Sequence, residues 1–152
     1  MRDALKFGAW TGLAISVYLA LVIGFGWYHD TLLNLDLPMM LVGIVWAHRL
    51  VRRDEAVPFG YLRAVGLGLT VAAVSGLVSR MFYFLWLRFV DDAILQMIVD
   101  QWKAAGREVE KGTPFSFASG NLIGWVVVGL LASLIISIFT RRSRLRAQPS
   151  TP

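Results

Sequence analysis

The sequence predicts an all-α integral membrane protein: a bundle of four transmembrane helices plus one amphipathic extracytoplasmic helix. Three observations predict it. First, hydrophobic residues make up 57% of the 152 and charged residues only 16%, against about 45–50% and about 25% in a soluble domain. Second, the apolar residues come in long uncharged runs, as helices that cross a bilayer require. Third, lysines and arginines gather at the ends of those runs. The mean hydropathy of +0.61 agrees with this composition. The length fits one membrane domain, residues 1–152.

Net charge is +5 and the pI is about 10.1. The basic residues flank apolar runs and do not interleave with aromatics on a polar face. The implied partner is the lipid bilayer, not nucleic acid. There is no cysteine, which excludes disulfides, thiolate nucleophiles and cysteine-based metal or cluster sites. Nothing in the sequence calls for a cofactor.

The first span covers residues 7–28. Arg2 and Lys6 precede it, and no charge interrupts it. About 22 residues make a helix of about 33 Å, enough for the hydrocarbon core. Gly24 and Gly26 would suit a signal-peptide cleavage site, but the run exceeds the 7–15 residues of a signal core, and more spans follow. Gly8, Gly12, Ser16, Ala20 and Gly24 form a smooth row, one small residue every fourth position. Such rows let helix backbones approach closely in lipid.

The second span covers residues 32–48 and is the shortest. Asp36 is an N-cap candidate, and Pro38 suits a first turn. A charged loop follows.

The third span covers residues 58–90. Gly60, Ala64, Gly68, Ala72 and Gly76 repeat the every-fourth-residue row, and the next position is Arg80. A helix of that length, about 50 Å, exceeds one crossing. It should protrude at one end or kink near Gly76. Phe82, Tyr83 and Trp86 resemble an interfacial belt.

Residues 92–111 carry Ile94, Leu95, Ile98, Trp102, Ala105 and Val109 at helical spacing, with Gln96, Asp100, Lys103 and Arg107 on other faces. This predicts an amphipathic helix, lying on the membrane or folded over the bundle mouth. Gly112 can end it.

Thr113 and Pro114 start the fourth span, residues 114–140. Gly120, Gly124, Gly129, Ser133 and Ser137 offer small contacts there. Arg141, Arg142, Arg144 and Arg146 form a basic stop suited to anionic lipid. The tail to residue 152 is short and polar.

Orientation follows from the basic residues. One side takes Arg2, Lys6, Arg49, Arg52, Arg53, Arg63 and the four arginines of the tail. The other takes Arg88, Lys103, Arg107 and Lys111. Ten against four places both termini in the cytoplasm and residues 92–111 outside.

The stretch GIVWAHRLVRRDEAVPFGYLRAVGLGL, followed by VSRMFYFLWLRFVDD, resembles a bacterial membrane family known only as domain-of-unknown-function family 4199. The likeness rests on Gly43, Arg49, Phe59, Ala64 and Gly66, on the aromatic end of the third span, and on the helical loop and final apolar span. Many members carry a proline-containing motif where this chain has Val90-Asp91-Asp92. The resemblance implies four helices and a bacterial source. It implies no activity.

Chemistry is sparse. His29 and His48 fall on opposite sides of the expected bundle. His29, Asp30 and Asp36 share a side and offer at most a weak cation site. Ser75, in Ala73-Val74-Ser75-Gly76, has no histidine at matching depth to act as base. There is no metalloprotease, phosphate-loop or dinucleotide motif. Apart from Asp36, no span holds the acid that proton-coupled transport usually needs. One candidate polar site remains. Arg80 and Asn121 share a depth, and Asp36 is a possible charge partner. Either Arg80 snorkels to the interface, or it turns inward and bonds Asn121. The leading expectation is a non-enzymatic structural or accessory subunit, joined to itself as a homo-oligomer or to another membrane protein. The alternative is a small channel or carrier with an outer-leaflet pocket around Arg80 and Asn121.

Overall fold

The computed structural model describes residues 2–27, 34–53, 60–90, 93–104, 106 and 113–140. Among them every regular element is an α-helix: α1 (Arg2–Gly24), α2 (Asp36–Arg53), α3 (Tyr61–Phe89), α4 (Ala93–Ala104) and α5 (Pro114–Thr140). His29, Asp30, Gly112 and the four tail arginines lie outside the described residues, as do the predicted start of the third helix and the last residues of the predicted amphipathic helix.

α3 is the axis of the molecule and packs against α1, α2 and α5. Neighbour registers give the directions. Gly8 and Gly12 of α1 face Val74 and Val78 of α3, so α1 and α3 run parallel. Gly68, Ala72 and Gly76 of α3 face Ser133, Gly129 and Trp125 of α5, so α5 runs antiparallel to α3. Asp36 meets Arg80 while Ile44 meets Gly68, so α2 is antiparallel to α3 too. The four long helices therefore alternate in direction along the chain.

The two smooth rows are seams over most of their length. A Cβ on Gly12 would lie 2.9 Å from the Ser75 carbonyl oxygen, and one on Gly68 would lie 2.5 Å from Ser133 Oγ. No real side chain fits at such distances. Ala64 and Ala72 are fully buried, and Ser16 is buried with its hydroxyl donating to the Gly12 carbonyl at 2.8 Å. The ends of the rows depart from expectation. Gly24 and Gly60 are exposed, with nothing within 4 Å of an added Cβ, and Ala20 is only half-buried. Among the described residues no side chain faces Gly24 or Gly60, so small size there makes no described contact.

Other boundaries differ for local reasons. α1 starts at Arg2, before the apolar run, with Asp3 in its first turn, where the positive end of the helix dipole favours an acid. α2 continues past His48 to Arg53, because arginines suit the negative C-terminal end. α3 is helical without interruption from Tyr61 through Gly76 to Phe89. Thr113 caps α5 as its sequence implies, with the Ser116 amide donating to Thr113 Oγ1 at 3.1 Å.

Polarity is arranged as in lipid rather than water. Trp10, Leu62, Phe89, Phe115, Ile123 and Phe139 are each at least two-thirds exposed. α1, α3 and α5 are long and apolar enough to cross a membrane. α2, with Asp36, Arg49, Arg52 and Arg53 in 18 residues, does not meet that test on composition. Leu95 and Val99 of α4 are buried, and Leu95 belongs to the same core cluster as Tyr83 and Leu87. Gln96, Asp100 and Lys103 are exposed.

Candidate functional site

Two polar clusters lie in the bundle, one near each end of α2. The first holds the predicted residues. Arg80 follows Gly76 in the α3 row, and Asp36 is the first residue of α2. Arg80 Nη2 donates to Asp36 Oδ2 at 3.0 Å, and both side chains are less than 10% exposed. The guanidinium carbon lies 4.5 Å from the centroid of the Trp125 ring and 5.8 Å from that of Tyr83. These are cation–π distances.

The arginine thus turns inward and does not snorkel. The order of its partners differs from the sequence reading. Its hydrogen bond runs to Asp36, and the residue of α5 that it meets is Trp125. Asn121 sits one turn away from Trp125, half-buried. The reason is steric. Gly76 leaves room for the indole, and the indole occupies the space below Arg80 on the α5 side. An aspartate also neutralises the charge, which an asparagine cannot. In a poorly solvated interior an unpaired charge is far costlier than a polar group. Among the described residues the pair is not saturated: Arg80 Nε and Trp125 Nε1 are buried without a hydrogen-bond partner.

The second cluster was not singled out from sequence. His48 of α2 is fully buried, and its Nδ1 lies 2.8 Å from Thr140 Oγ1 of α5. Thr140 gives its hydroxyl proton to the Ile136 carbonyl at 3.0 Å. A hydroxyl has one proton, so Nδ1 must be the donor to Oγ1. A signal for this site was present. Asp36, Met40, Ile44 and His48 recur every fourth residue, which puts both polar residues on the face that also supplies Met40 and Ile44 to the core.

Between the clusters the interior is apolar. Met40, Ile44, Val71 and Ala72 have no exposed surface. Three buried serines turn to their own helices: Ser75 donates to Ala72, Ser79 to Gly76 and Ser133 to Gly129, while the buried Ser137 Oγ has no hydrogen-bond partner among the described residues. Ser75 therefore has its hydroxyl engaged in the backbone, consistent with a packing role. Among the described residues no group of three or more His, Asp or Glu is placed to hold a metal ion.

An apolar exterior, glycine seams and a charge pair held inside define an α-helical membrane protein. Residues 6–142 match the family model described as "Protein of unknown function (DUF4199)", and the chain belongs to that family. Neither the curated proteins nor the solved structures contain a match.

Proposed function

We propose that the chain is a non-enzymatic protein of the bacterial inner membrane, with four spans and both termini in the cytoplasm, that serves as a structural or accessory subunit. α2 is the second span despite its charges. Asp36 is neutralised by Arg80, and Arg49, Arg52 and Arg53 lie in its last two turns, where they reach the interface. α4 is the amphipathic extracytoplasmic helix, with Leu95 and Val99 inward and Gln96 and Asp100 outward. The observation that carries the role is the closed middle of the bundle. Met40, Ile44, Val71 and Ala72 have no exposed surface there, as suits a static scaffold and not a pore.

A second reading, a channel or carrier, draws on the unused donors at Arg80 Nε and Trp125 Nε1. They would give an anion a first foothold beside Asn121. Reconstitution into liposomes with a panel of ion and solute fluxes separates the two. For the subunit, fluxes equal those of empty liposomes, and site-directed crosslinking in cells joins the chain to a copy or another membrane protein. A saturable flux lost in Arg80→Gln would overturn it in favour of the carrier.

A further inference from the structure

A groove of about 690 Å³ runs along the outside of α1 and α2. Its walls include Trp10, Ala14 and Tyr18 from α1 and Met39, Val42 and Trp46 from α2, and they are almost wholly apolar. From Leu35 to Leu50 it follows α2 for about 22 Å. A second hollow of about 700 Å³ shares Val42, Trp46 and Leu50 with the first, so the two meet along one face of α2. Arg49 and Arg53 line this second hollow. Four residues apart on a helix, they share a face. Both sit in the last two turns of α2, and among the described residues neither is in an ion pair.

We propose that this face is the binding site of one anionic phospholipid, with its phosphate on Arg49 and Arg53 and an acyl chain in the groove between α1 and α2. The proposal rests on the reading that α2 crosses the bilayer beside α1. The charge pattern favours this occupant. A second helix laid in the groove would press its end against two arginines and would need acids there. A phospholipid brings anion and apolar chain joined at the right place. One acyl chain reaches about half of a ~30 Å hydrocarbon core, which the groove exceeds. Arginine suits the headgroup because its planar fork can give two parallel hydrogen bonds to a phosphate. Basic pockets beside membrane helices bind such headgroups.

The test uses the full chain in a neutral detergent, titrated with phosphatidylglycerol, phosphatidylcholine or glycerol phosphate and read by native mass spectrometry. Phosphatidylglycerol should bind at one site per chain, phosphatidylcholine much more weakly, and glycerol phosphate not detectably, because it lacks the chain. The double variant Arg49→Gln with Arg53→Gln should weaken phosphatidylglycerol about 30-fold, the equivalent of about 1 kcal/mol per arginine. Val42→Trp should block the groove and weaken both lipids, and Arg52→Gln, which lines neither hollow, should leave binding unchanged. Equal binding of the two lipids, or equal loss in the double variant and Arg52→Gln, overturns the site. Tight binding of glycerol phosphate overturns the acyl part. A crosslink from Trp46 to a protein that added phosphatidylglycerol does not displace assigns the groove to a helix instead. Loss of the lipid site leaves the subunit reading standing, because the flux outcomes do not depend on it.

Discussion

Trp125 lies against Gly76, and that contact puts an indole face beneath Arg80. Gly76 and Arg80 are one turn apart on α3. A Cβ at Gly76 would collide with the Trp125 ring, while the Arg80 guanidinium sits 4.5 Å from the ring centroid. The glycine therefore sets both the approach of α5 and the surroundings of the charge. Asp36 completes the arrangement from the start of α2.

The pair predicts an asymmetry between single and double substitution. Asp36→Leu alone strands a buried guanidinium and should cost about 3–5 kcal/mol. Adding Arg80→Met should recover most of that, since an apolar pair can replace a buried ion pair at little cost. Unfolding titrations in mixed micelles measure both. An equal or greater loss in the double variant would show that the charges are not coupled.

Arg80→Lys should destabilise the bundle measurably, because lysine lacks the planar fork and stacks less well on Trp125. A silent Arg80→Lys would restore the snorkelling reading. Asn121→Ala tests the other partner: a coupling with Arg80 below about 0.3 kcal/mol means the two sites simply add.

The seams predict where a row position matters. Gly12→Ile, Gly68→Ile and Gly76→Ile should each cost about 1–3 kcal/mol by overpacking. Gly24→Ile and Gly60→Ile, with open space around them, should stay within about 0.5 kcal/mol. Equal losses at all five positions would mean that these contacts do not hold the helices together.

Much of this was legible in the sequence, for specific reasons. The periodic small residues located the seams, because close helix approach in lipid demands them. Thr113 and Pro114 marked the start of α5, because capping is local chemistry. The ends of the rows misled, since periodicity cannot say how far a partner helix extends past Gly24 or Gly60. Depth in the membrane, which is all the sequence offers for Arg80, points to Asn121. Choosing Asp36 required knowing that Trp125 fills the space beside Gly76. For His48 the spacing from Ile44 and Met40 is the legible signal, since it places the three on one face of α2.

The second cluster has its own test. Thr140→Val removes one hydrogen-bond partner of His48 Nδ1 and should cost about 0.5–1.5 kcal/mol, the net worth of one hydrogen bond. Thr140→Ser keeps the hydroxyl and should be much milder. Identical losses would trace the effect to packing instead of the hydrogen bond.

Orientation is checked by labelling. The native chain has no cysteine, so single cysteines at Gln101 and Ser143 carry no background. An impermeant thiol reagent outside intact cells should label the Gln101 site only. Labelling of both, or of the Ser143 site alone, ends the arrangement with both termini inside.

The separation of Asp36 from Arg80 has a consequence for biogenesis. The two are 44 residues apart in the chain. At a translation rate of about 5–20 residues per second, the carboxylate is made roughly 2–9 s before its partner. During that interval α2 carries an acid that nothing neutralises, on the helix with the least apolar composition of the four long ones. On the proposed four-span reading, the favourable path is for α2 to wait at the water-facing edge of the membrane and enter together with α3. A nascent chain stalled before Arg80 should therefore hold one inserted helix, and one stalled well beyond it should hold three.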